Sequence, residues 1–222
     1  MSGRSAKPLL VAFAVASAAE LTAVAADSRT GQLLAKPLLM PLLAAYVVAR
    51  GGPRTLVAAL LLGWGGDVFL LSSADTAFLA GMGCFAAGHV CYLTLFGRRR
   101  TRPGLAVAYG LLLVLTLALL WPDLPADLRV PVALYSLLLA AMACRASALG
   151  PLAGAGGALF LLSDTLIATG VAEWRQPPAA GLWVMLTYVA AQALLTAGVL
   201  RSRARPSPGA GAPTARTRPV HD

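Results

Sequence analysis

The stretch LLLGWGGDVFLL, residues 60–71, decides how this chain is read, because Asp67 stands inside a run that is otherwise apolar. A second stretch, GGALFLLSDTLIA at 156–168, repeats the arrangement around Asp164. Each run belongs to an apolar segment long enough to cross a bilayer, which takes about 20 residues. A carboxylate near the bilayer centre costs at least about 2.5 kcal/mol, so one that persists there faces a polar cavity and has work in it. An unpaired structural carboxylate brings no evident benefit in lipid. Two of them, in helices of the same predicted direction, point to one shared intramembrane site.

The whole composition agrees with that reading. Of the 222 residues 58% are hydrophobic and only 12% are charged, against about 25% charged in soluble domains. Apolar runs give eight candidate spans, near 8–26, 33–49, 54–73, 77–96, 104–121, 130–147, 151–172 and 181–200. Several are rich in Ala and Gly, as in helices packed closely through small residues. The expected fold is therefore all-α, a polytopic membrane protein of eight transmembrane helices. Residues 1–200 form one compact domain, and 201–222 form a basic, disordered tail rich in Pro, Gly, Ala and Arg. The implied location is a cell membrane, crossed many times, and the Ala- and Arg-rich composition reads as a bacterial inner membrane.

A net charge of +9 invites a nucleic-acid reading, but its distribution argues against one. With eight spans, the termini and the even-to-odd connections share one side. That side holds Arg4, Lys7, Arg50, Arg54, Arg98, Arg99, Arg100, Arg102, Arg145, Arg201, Arg203, Arg205, Arg216 and Arg218, fourteen of the 18 basic residues. Only Arg29, Lys36, Arg129 and Arg175 lie opposite, with the loop acids Asp27, Asp75, Asp123, Asp127 and Glu173. Cytoplasmic loops of membrane proteins carry this excess of Lys and Arg, so both termini are expected in the cytoplasm and the partner is the lipid bilayer, not nucleic acid. The N-terminal segment also resembles a cleavable signal peptide, but removing it would break the agreement between charge and side. Cys84, Cys91 and Cys144 follow neither disulfide nor zinc spacing and read as packing residues.

Position within each span gives depth. Asp67 and Asp164 both fall in the outer half, Glu20 lies at a similar depth, and Lys36 enters the second span from the outer side. Glu20, Lys36, Asp67 and Asp164 are thus expected to converge on a cavity opening outward. Each polar residue also has a structural alternative. Glu20 and Lys36 can simply pair and join two helices, and Lys36 can snorkel to the interface. Pro37 fits a first helical turn, with a kink at Pro41. His89 and Tyr92, three residues apart on one face, can be a hydrogen-bonded pair. Ser163 can bond back to its own helix, and Gln192 can hold two helices together. The two aspartate segments, 97 residues apart, also hint at a parallel duplication of four spans.

KPLLMPLL (36–43), LLGWGGDVFLL (61–71), FLAGMGCFAAGHVCY (78–92) and GALFLLSDTLIA (157–168) together resemble the YhhN family of membrane proteins, over nearly the whole chain except the tail. That resemblance implies eight transmembrane helices and hydrolysis of the vinyl ether bond of lysoplasmalogens, to a fatty aldehyde and glycerophospho-choline or -ethanolamine. It implies Asp67 and Asp164 as the catalytic acidic pair and matches Lys36, His89, Tyr92 and Ser163 to recurrent polar positions; these four, with Glu20 added by its depth, are the expected substrate-site residues. The implied partner is a lysophospholipid, with no cofactor.

The chemistry suits the residues. Vinyl ethers are hydrolysed by protonation of the β-carbon, which gives an oxocarbenium ion that water attacks. A protonated carboxyl can supply the proton while an ionised partner stabilises the cation and activates water, and two neighbouring carboxyls split those roles. Apolar sequence neighbours assign the proton to Asp164, and the glycines before Asp67 assign it the ionised role. Lys36 is placed to hold a lipid phosphate. One intramembrane histidine falls short of a metallohydrolase site, so no metal is expected. The alternative is a transporter with an intramembrane carboxylate site. It would need broken helices, for which 37–41 and 63–66 are the only candidates.

Overall fold

The computed structural model describes residues 6–72 and 74–204. Among them are eight α-helices and no strand: α1 (Ala6–Ala25), α2 (Arg29–Ala49), α3 (Arg54–Phe69), α4 (Asp75–Phe96), α5 (Pro103–Leu120), α6 (Arg129–Ala146), α7 (Pro151–Val171) and α8 (Ala180–Ala204). All but α3 are long and apolar enough to cross a membrane. At 16 residues α3 spans only about 24 Å. Pro53 sets its start, and residues 70–72 turn away where the apolar run to 73 suggested more helix.

Helix ends depart from the apolar runs where caps decide them. α2 begins four residues earlier than its run, because the Ser28 side chain accepts a hydrogen bond from Gly31 N at 3.2 Å. Lys36 and Pro37 therefore lie in the second turn or beyond, not in the first. Pro41 has no N–H to offer the Pro37 carbonyl, and Trp64 Nε1 on α3 fills that vacancy at 2.9 Å. α8 continues through Arg201 and Arg203 to Ala204, so the expected tail starts later than 201; residues 205–222 lie outside the described residues.

Hydrogen bonds between connections show that the helices run up and down. Arg29 Nη2 donates to Leu71 O, joining the α1–α2 and α3–α4 connections. Trp174 Nε1 donates to Asp123 Oδ2 at 2.7 Å, joining α7–α8 to α5–α6. At the opposite end Arg145 Nη1 donates to Arg99 O at 3.0 Å, joining α6–α7 to α4–α5.

One core runs through the bundle, from Phe13 and Leu39 through Leu60, Phe85 and Phe160 to Leu195. α7 and α8 meet almost backbone to backbone. A Cβ on Gly156 would stand 2.9 Å from Ala191 O, and one on Gly198 would stand 2.7 Å from Ala153 N. Lipid offers no hydrophobic drive between helices, so such close approach through small residues holds them. α5 is the exception. Only its Leu120 is buried, while Val107, Leu111 and Val114 are exposed, so it presents an apolar face to lipid and packs chiefly on α6.

Candidate functional site

Asp67, near the end of α3, and Asp164, late in α7, line the same cavity, of about 110 Å³. Lys36 and Ser163 line it as well, as do Tyr135 and Tyr188. Its walls come from the later turns of α3, α5 and α7 and the earlier turns of α4, α6 and α8, with Lys36 of α2. It therefore lies towards the end of the bundle that carries the Arg29 and Trp174 contacts. A second apolar cluster, built on Leu120, Leu124, Val132 and Ala172, packs at that end.

Each aspartate is held by a tyrosine from another helix. Tyr188 Oη, on α8, donates to Asp67 Oδ2 at 2.7 Å. Tyr135 Oη, on α6, donates to Asp164 Oδ2. Behind each tyrosine stands a further polar side chain. Gln192 Nε2 reaches Tyr188 Oη at 3.5 Å, and its Oε1 accepts from Tyr92 Oη at 2.7 Å. His89 Nε2 lies 3.1 Å from Tyr135 Oη. The Tyr135 proton goes to Asp164, so its oxygen accepts from His89, which assigns the proton in that bond to Nε2. His89 Nδ1 is buried and has no partner among the described residues. The two relays thus end on one face of α4, at His89 and Tyr92.

The expected site residues sort into three positions. Lys36, Asp67, Ser163 and Asp164 face the cavity. His89 and Tyr92 do not line it and stand behind the tyrosines; they bond to Tyr135 and Gln192 and not to each other. Glu20, on α1, is completely buried and outside the lining. Its two oxygens accept no hydrogen bond among the described residues, so the direct Glu20–Lys36 pair does not form. Lys36 shares the cavity wall with Asp67. Ser163 bonds across to Val184 O on α8 at 3.1 Å, not back to α7.

The contrast expected between the aspartates is not seen, because Asp67 is enclosed as well. Asp67 is 3% exposed, whereas Asp164 is half-buried. The glycines before Asp67 leave no open space, because neighbouring side chains fill it. A Cβ on Gly66 would stand 2.5 Å from the Phe85 ring, and one on Gly63 3.4 Å from Tyr188 Oη. Sequence neighbours lie along a helix and do not share a cavity, so the glycines misjudged the surroundings of Asp67. The ground for giving the proton to Asp164 is removed.

The model of the YhhN family matches residues 31–199, which takes in α3 to α7, most of α2 and α8, and both aspartates. The chain belongs to the YhhN family. Lysoplasmalogenase TMEM86B of Homo sapiens is 41% identical over 163 residues, 71% of this chain and 69% of that protein. A protein of Mycobacterium bovis named lysoplasmalogenase is 35% identical over 205 residues, 83% of this chain and 77% of its own. No solved structure matches. The YhhN match begins after Glu20, so that carboxylate falls outside the matched region, while every residue lining the cavity falls within it.

Proposed function

We propose that this multi-pass membrane protein is a lysoplasmalogenase, which hydrolyses the vinyl ether of a lysophospholipid to a fatty aldehyde and a glycerophospho-choline or -ethanolamine. The carrying observation is the pair of aspartates on one apolar cavity, each with one oxygen engaged by a tyrosine. Relatives named lysoplasmalogenase support the reading.

In this reading one aspartic acid protonates the β-carbon of the vinyl ether, which becomes an oxocarbenium ion. The other carboxylate stabilises that cation and takes a proton from the attacking water. The hemiacetal then collapses: the first aspartate, now ionised, takes the hydroxyl proton as the carbonyl forms, and the second, now protonated, gives its proton to the departing glycerol oxygen, which restores both carboxyls. General acid–base help of this kind contributes roughly 10²–10⁴-fold. Lys36 holds the phosphate as a point charge. Ser163 shapes the wall, and His89 and Tyr92 steady the tyrosines. A cavity of about 110 Å³ is small beside the roughly 300–1,000 Å³ of common ligand sites. It accommodates the reacting end, with the aliphatic chain lying along Leu112, Thr116 and Leu117 of α5 towards the bilayer.

All eight helices cross the membrane, α3 included, because its two ends lie at opposite ends of the bundle. Both termini are cytoplasmic by the distribution of basic residues, the cavity faces the outer leaflet, and the membrane is a bacterial inner membrane. Purified protein incubated with lysoplasmalogen should release aldehyde and the glycerophospho-base, and the Asp67→Asn variant should not. Intact substrate after incubation with folded wild-type protein would overturn the function.

A further inference from the structure

At the end of the bundle away from the aspartates, four arginines are gathered and not merely on one side. Arg98, Arg99 and Arg100, in the α4–α5 connection, and Arg145, in the last turn of α6, line one cleft of about 760 Å³. Two hydrogen bonds fix the walls relative to each other. Arg145 Nη1 donates to Arg99 O at 3.0 Å, and Thr101 Oγ1 donates to Cys144 O at 3.3 Å. No acidic side chain lines the cleft. Topology alone requires basic residues on this side of the membrane. It does not require them around one concavity, nor one of them tied to the backbone that carries the others.

We propose that this cleft binds the headgroup of an anionic phospholipid. Guanidinium groups match phosphate oxygens through paired N–H donors, which a point charge cannot do. Basic pockets between transmembrane helices on the cytoplasmic side are suited to such headgroups. A lipid fits better than a soluble phosphate, because Ala106 and Ala141 also line the cleft and α5 runs on from it with an exposed apolar face for the acyl chains. The position separates this lipid from the proposed substrate, whose site lies at the other end of the helices. It also gives the lipid a structural consequence. α5 packs on little besides α6 yet forms a wall of the aspartate cavity, and a headgroup held between its leading connection and α6 braces it.

The test uses the full chain in neutral detergent, with phosphatidylglycerol retention read by native mass spectrometry and phosphatidylcholine as the comparison. Wild type should retain phosphatidylglycerol preferentially. Each arginine removed from the cleft as Gln should weaken retention roughly fivefold. A control variant with Arg50, Arg54, Arg201 and Arg203 replaced by Gln removes equal charge from the same end and should retain the lipid. Should the variant with Arg98, Arg99, Arg100 and Arg145 all replaced by Gln fail to fold, Arg98→Gln with Arg100→Gln leaves the Arg145–Arg99 tie intact and should still show the loss. Equal loss in the control would reduce the effect to general surface charge and overturn the proposal. So would equal retention of both lipids, or displacement of phosphatidylglycerol by millimolar inorganic phosphate, which would identify a soluble anion as the ligand. None of these readouts depends on vinyl ether hydrolysis.

Discussion

Tyr188 Oη donates to Asp67 Oδ2 at 2.7 Å, although 121 residues separate the two in sequence. The bond crosses from α8 to α3 and engages one carboxyl oxygen of the more enclosed aspartate. A hydrogen bond to a charged group contributes about 1.5–3 kcal/mol. Tyr188→Phe keeps the ring, and with it the T-shaped contacts to Phe85 and Phe160. It should therefore lower kcat roughly ten- to a hundredfold with little change in KM. An unchanged kcat in a folded variant would show that the hydroxyl does not position the carboxyl.

The two aspartates face one cavity, and groups that act in one chemical step lose activity non-additively. Asp67→Asn and Asp164→Asn should each remove most turnover, and the double variant should be little worse than either. Multiplicative losses, measured as single-turnover rates on folded protein, would mean that the carboxyls act separately.

The glycines before Asp67 serve packing. A Cβ on Gly66 would press into the Phe85 ring at 2.5 Å, while one on Gly83 would meet nothing within 4 Å. Gly66→Ala should destabilise the protein by about 1–3 kcal/mol through overpacking. Gly83→Ala, also in a helix interior, should be neutral or mildly stabilising. Thermal unfolding in detergent reads both, and equal stability of the two variants would contradict the packing.

The spans could be read from the sequence because burial in lipid demands an unbroken apolar run, whose length is visible residue by residue. Their ends could not, since Ser28 extends α2 and the turn at 70–72 shortens α3 through local hydrogen bonding. Asp67 and Asp164 stood out because charge is rare at that depth. Tyr135 and Tyr188 did not, because a tyrosine in a span is ordinary packing until its partner is known. Those partners lie on helices that are 29 and 121 residues away in sequence. The one available signal was weak: both tyrosines sit, like the aspartates, towards the same predicted side of their spans. Sequence neighbours also suggested a roomy Asp67, because they cannot show that Phe85 of α4 fills the space the glycines leave.

Hydrogen bonds pair the α1–α2 connection with α3–α4, α5–α6 with α7–α8, and α4–α5 with α6–α7, so alternate connections share an end. α8 then finishes at the arginine end, where Leu200 packs near Gly52 of the α2–α3 connection. Basic residues are retained on the cytoplasmic side, so this end is expected inside and the Asp123–Trp174 end outside. Reporter fusions after Ala204 and within 123–127 should therefore report opposite compartments, cytoplasmic and external. If both reported the same compartment, α3 or another helix would not cross, and the aspartates would no longer share a depth. An inverted result would keep the shared cavity but turn its mouth, and Lys36 with it, towards the inner leaflet.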